Sequence, residues 1–150
     1  MKKNRLIAFV LSLCLICAFS IPAMAAGNDA PDSKCAYVET TDTSIDANPY
    51  SATGSFSGPL SGEYVNYDMV LHGSYRYWKM LITNNGDYDI QVDVNGKIFT
   101  VKAHTSGYIY STNKWWAGTY KIGFSTKSPT HSMNGSVSCT LYTTLAESQP

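Results

Sequence analysis

Hydrophobic and polar positions follow two different rhythms along this chain. From Leu6 to Ile21 the residues are almost continuously apolar, broken only by Ser12 and Ser20. From Glu63 onward apolar and polar residues alternate with a period of two, as expected of strands that bury one face. Val65, Tyr67, Met69 and Leu71 share one face of the first such segment, opposite Tyr64, Asn66, Asp68 and His72. Gly73-Ser74 marks a turn into Tyr75 to Thr83, where Trp78, Met80 and Ile82 fall together. Asn84-Asn85-Gly86 reads as the next turn. Tyr88, Ile90, Val92 and Val94 then alternate with Asp87, Asp89, Gln91 and Asp93.

Asn95-Gly96 follows, a strong signal for a two-residue hairpin because a type I′ turn needs positive φ at both central positions. That turn fixes a register. Val94 faces Lys97, Val92 faces Phe99, Ile90 faces Val101 and Tyr88 faces Ala103 on the core side. On the outer side Gln91 faces Thr100, and Asp89 faces Lys102 as an opposite-charge pair.

Further strands are predicted at Tyr108 to Ser111, at Tyr120 to Thr126 with Tyr120, Ile122 and Phe124 inward, and at Gly135 to Thr143. In the last, Val137, Cys139 and Leu141 share the core face. Ala26 to Asp32 is a polar entry, and Thr41 to Leu60, dense in Ser, Thr, Gly, Asp and Pro, reads as loop or short irregular strands. No helical period appears after the apolar run. Short strands with turns at this spacing predict an all-β fold, an antiparallel β-sandwich of jelly-roll or immunoglobulin-like type.

The apolar run is the middle of a secretory leader. Lys2, Lys3 and Arg5 precede it, Pro22 breaks its helix, and Ala23-Met24-Ala25 is a small-x-small cleavage site. Cys14 and Cys17 follow Leu13 and Ile16, not the small residues a lipid-modified cysteine needs, so they read as apolar filler. The expected organisation is a signal peptide at 1–25, a flexible segment at 26–34, one sandwich domain at 35–145 and a tail at 146–150. The full chain is formally neutral, with 11 basic and 11 acidic residues. Loss of Lys2, Lys3 and Arg5 leaves an acidic remainder without a basic stripe, which argues against nucleic acid as a partner. No second apolar stretch reaches membrane-spanning length.

Cys35 and Cys139 are the cysteines that survive cleavage, and an oxidising compartment favours a bridge between them. Such a bridge would close a loop of about 100 residues, for which chain entropy assigns about 4.7 kcal/mol.

The segment Trp116-Ala117-Gly118-Thr119-Tyr120-Lys121-Ile122 resembles the late strand of bacterial extracellular jelly-roll modules, including pre-peptidase C-terminal domains and carbohydrate-binding domains. The resemblance covers these residues and little more. It implies a sandwich fold. The acidic calcium and sugar-contact patterns of those families do not map onto this chain, so no ligand set is carried over.

Aromatic load is the most suggestive chemistry, with 11 Tyr and 3 Trp. Trp115 and Trp116, if in a strand, point to opposite faces. Trp116 is in phase with Tyr120, Ile122 and Phe124 and so is expected in the core. Trp115 is then the outward ring, grouped with Tyr75, Tyr77, Tyr108 and Tyr110 as a ligand-binding platform. The competing reading puts all of these rings in the core. Asp87, Asp89 and Asp93 offer oxygen ligands, but strand-borne carboxylates do not wrap Ca²⁺ as a loop does. His72, His104 and His131 lack metal spacing. Ser111-Thr112-Asn113-Lys114 matches S-x-x-K without its companion motifs. No catalytic residue, metal or cofactor is therefore assigned. The expected function is a secreted, non-catalytic binding module for an extracellular glycan or a cell-surface protein. A membrane-active, toxin-like protein and an unrecognised hydrolase or inhibitor are the alternatives.

Overall fold

The computed structural model describes residues 33–41, 53–128 and 130–150. The leader, the segment 26–32 and much of the predicted loop after Thr41 lie outside the described residues. Nine strands are formed among those described: β1 Cys35–Thr40, β2 Phe56–Gly62, β3 Tyr64–Leu71, β4 Tyr77–Asn84, β5 Ile90–Val94, β6 Lys97–Val101, β7 Ser106–Ser111, β8 Gly118–Thr126 and β9 Met133–Tyr142. A single helical turn, α1 (Leu145–Ser148), follows, with the Thr144 side chain capping its first turn at Glu147. One sheet has the order β1-β7-β4-β9-β2 and the other β3-β8-β5-β6. Every strand pairing is antiparallel. The chain is an all-β sandwich, as its alternation predicts.

The inner faces are those the period-two pattern selects. Trp78, Met80 and Ile82 of β4, Val137, Cys139 and Leu141 of β9, and Ile122 and Phe124 of β8 are all buried in one core with Met69, Leu71, Val92 and Ile109. Consecutive strands mostly pass from one sheet to the other, and only β5 and β6 are hydrogen-bonded neighbours. That hairpin has the predicted register, with Ile90, Val92 and Val94 opposite Val101, Phe99 and Lys97. Asn95 and Gly96 have φ of 53° and 83°, as a type I′ turn requires. Asp93 Oδ1 accepts from the Gly96 N–H at 2.8 Å, locking the turn.

Lys102 and Asp89 form the expected pair at 2.9 Å, and the Ala103 N–H donates to the other carboxylate oxygen. The hydrogen bond from Lys102, and next that from Ala103, hold the Asp89 carboxyl below its ordinary range. Its contribution is therefore present at neutral pH and fades as acid protonates it.

Tyr88 departs from the expectation. It is 45% exposed and stacks on His131, with ring centroids 3.7 Å apart. The cause is Asn84, a side chain buried at 1% exposure. Its amide nitrogen donates to the carbonyls of Tyr88, Val101 and Lys102, and its oxygen accepts from Gly86. The amide takes the place of ladder hydrogen bonds, so β5 starts only at Ile90.

β2 corrects the reading of its region as irregular. It is a regular edge strand on β9, paired from Phe56 with Cys139 to Gly62 with Met133. Its composition hides it: Pro59 is tolerated on an edge, and Gly58 is required because a Cβ there would meet the Tyr67 hydroxyl at 2.2 Å. That hydroxyl donates to the Pro59 carbonyl at 2.8 Å.

The expected Cys35–Cys139 bridge is also corrected. Cys35 lies on β1 and Cys139 on β9, with β7 and β4 between them. Three strand spacings place their backbones roughly 14 Å apart, whereas a disulfide needs a Cα separation of about 4.4–6.8 Å. Both are free, buried thiols, and the Cys139 sulfur lies 3.8 Å from the Met69 sulfur. Burial pushes both thiols up in pKa, with Lys97 partly countering it at Cys35. A thiol assay on the chain from Ala26 to Pro150, denatured without reductant, should find both cysteines reactive. Two blocked cysteines would contradict the strand order.

Candidate functional site

The site is built where two connections meet at one end of the sandwich. The β3–β4 turn closes tightly, with the Tyr75 N–H donating to the His72 carbonyl and Gly73 at a φ of 54°. The β7–β8 connection, residues 112–117, crosses from one sheet to the other. Trp115 anchors it. Its ring is 1% exposed and meets Trp78 edge-on at 5.1 Å and Tyr120 at 4.9 Å. Its indole N–H donates to the Lys34 carbonyl at 3.2 Å, and its backbone N–H to the Arg76 carbonyl at 3.0 Å.

Arg76 returns the clamp. Its Nε donates to the Gly73 carbonyl at 3.0 Å and its Nη1 to the Trp115 carbonyl at 3.3 Å. The Tyr120 hydroxyl donates to the Trp116 carbonyl at 3.2 Å. Burial raises the Tyr120 phenol pKa; the Arg76 charge and a hydrogen bond with Ser33 pull against that rise. With its neighbour buried and its own carbonyl tied down, the Trp116 indole is held outward, 55% exposed.

These residues enclose a cleft of about 500 Å³ lined by Arg76, Asn113, Lys114, Trp115 and Trp116. Arg76 and Lys114 form no ion pair among the described residues, where Asp89 pairs with Lys102 and Asp87 with His104. An aromatic face, an amide and two cationic donors thus surround one opening with no carboxylate in the described lining. Such a set can stack a planar or ring-shaped apolar face and donate hydrogen bonds to oxygen acceptors.

The roles of the adjacent tryptophans are the reverse of those expected. Trp115 is core and Trp116 is the surface ring, because residues 114–117 lie outside any ladder and the strand phase of Tyr120 does not extend back through Ala117. Tyr75 is half-buried at the same end and leans on His72, 5.6 Å between rings. Tyr77, Tyr108 and Tyr110 go elsewhere, onto the outer face of the β1-containing sheet. There Tyr77 is opposite Tyr142, Tyr108 opposite Leu81 and Tyr110 opposite Lys79. Lys79 Nζ lies 5.5 Å from the Tyr108 and Tyr142 ring centres and donates to the Gln149 carbonyl. The C-terminal segment covers this face, with Ser148 fully buried and Tyr108 only 8% exposed. The platform grouping of Trp115 with these tyrosines is therefore not formed.

Sequence reasoning missed Arg76 and Lys114 as lining residues. Asn113-Lys114 directly before two tryptophans was the available signal; nothing local marks Arg76, which reaches the site only through the fold. The buried Ser111 hydroxyl of β7 accepts from the Trp78 N–H of β4 at 3.0 Å and so is engaged in joining those two strands. Asp87, Asp89 and Asp93 are separately engaged with His104, Lys102 and the Gly96 N–H. No group of three metal-ligating side chains occurs among the described residues, and no helix among them is long and apolar enough to cross a membrane.

Truncation separates the two indoles. Trp115→Ala should cost about 3–5 kcal/mol in denaturant unfolding, and Trp116→Ala should stay within about 0.5 kcal/mol of the parent. The opposite order would return Trp115 to the surface. No family model matches the chain, and no curated protein matches it either.

Proposed function

We propose that this chain is an exported, non-catalytic binding module, and that its cleft between the β3–β4 turn and the β7–β8 connection receives a glycan. One observation carries the reading: the outward Trp116 indole stands at the rim of a donor-lined cleft, on a backbone that Arg76 and Tyr120 both hold. Pyranose rings present an apolar face to stack on an indole and a ring of hydroxyls to meet donors. The cleft volume lies within the range usual for small-ligand sites. A backbone already held in place also loses little conformational entropy on binding. The leader at residues 1–25 supports export, and the sandwich fold suits an extracellular module.

The membrane-active reading has less support. It calls for one clustered aromatic end, whereas Trp116 sits at the Gly73 end and Tyr64 and Tyr88 at the other, beside Gly62 and His131.

Tryptophan fluorescence of the mature protein, titrated with soluble polysaccharides and separately with liposomes, tests the proposal. A saturable response to a polysaccharide, abolished by Trp116→Ala with unfolding unchanged, is expected. A response to liposomes alone, or polysaccharide binding indifferent to Trp116→Ala, would overturn it.

A further inference from the structure

We propose that the cleft selects glycans that carry an anionic substituent, a carboxylate or a sulfate, within one or two sugar rings of the unit that stacks on Trp116. The inference rests on the glycan reading and adds the ligand class. Arg76 and Lys114 flank the same opening, and neither has an anionic partner among the described residues. The described lining contributes no acidic side chain, so nothing there neutralises them. A neutral sugar needs donors but has no use for two uncompensated cations.

Arg76 is the sharper element. Its bonds to the Gly73 and Trp115 carbonyls use one N–H of Nε and one of Nη1. Guanidinium carries five N–H donors in a rigid plane, so donors remain for a bidentate grip on a carboxylate or sulfate. Because its plane is already fixed by those carbonyls, little side-chain freedom is lost when the anion arrives. Lys114 is exposed and supplies a second charge. The chain as a whole offers no reason to attract anions: 11 basic residues balance 11 acidic ones, and the leader removes three of the basic. Two of the eight basic residues outside the leader, Arg76 and Lys114, line the cleft.

The test uses the mature chain and two matched pairs of probes. Polygalacturonate is compared with its fully methyl-esterified form, and dextran sulfate with dextran. The anionic member of at least one pair should bind about tenfold more tightly than its neutral counterpart, the size of one net charge-assisted hydrogen bond. The pair that shows the preference tells carboxylate from sulfate. Lys114→Gln and Arg76→Gln should each reduce the preference, and added salt should weaken the anionic binding alone. Lys114→Gln touches no internal hydrogen bond, so it reports even where Arg76→Gln loosens the β7–β8 connection. Equal binding of both members of each pair with continued dependence on Trp116 would overturn the anion selectivity and leave the glycan reading intact. A preference unchanged by both substitutions would place it elsewhere on the surface and overturn the assignment. No Trp116-dependent binding to any probe would overturn both readings.

Discussion

Trp78, Trp115 and Tyr120 meet edge-on at one end of the core, with centroids 5.1 and 4.9 Å apart along the chain of contacts. Each such pair contributes about 0.5–1.5 kcal/mol beyond the apolar area it buries. The three rings belong to β4 of one sheet, the β7–β8 connection and β8 of the other sheet. Their contact therefore ties the sheets together where the chain crosses between them. It also has a consequence for the surface. Once Trp115 is drawn inward, its carbonyl is presented to Arg76 and its neighbour Trp116 stays 55% exposed. The cleft, its fixed cation and its exposed ring all descend from that one insertion.

The far end of the sandwich is closed by a different kind of interaction. Asn84 is buried and bonded to the carbonyls of Tyr88, Val101 and Lys102 and to the Gly86 N–H. A buried amide with its partners satisfied holds loops firmly and leaves no donor to spare. The aromatic end is tied by ring contacts and by backbone carbonyls, and Arg76 and Lys114 there have no carboxylate partner among the described residues.

Much of the fold was legible in the residues. Strict alternation in β3, β4, β5, β8 and β9 named their buried faces, since a one-residue slip would expose every one of them. Asn95-Gly96 set its hairpin register because few turn types fit those two residues. What alternation does not reach is the chain between strands. The phase of Tyr120 predicted Trp116 inside, but residues 114–117 carry no ladder, and there tertiary packing chooses the buried ring. β2 stayed hidden because Gly58 and Pro59 answer to Tyr67 and to an edge position, neither of which is local. Cys35 and Cys139 showed the limit of counting: two cysteines in a chain expected to be exported suggest a bridge, and the strand order puts two strands between them. Arg76 has no sequence signal at all; its role exists only once the β3–β4 turn meets the β7–β8 connection.

The central claim is that one indole, Trp116, faces solvent while Trp115 and Trp78 are sealed in the core. Oxidation of the native mature protein with N-bromosuccinimide, followed by peptide mapping, measures this directly. Of the three tryptophans, Trp116 alone should be oxidised before the protein unfolds. Oxidation of Trp115 ahead of Trp116 would contradict the packing on which the site depends.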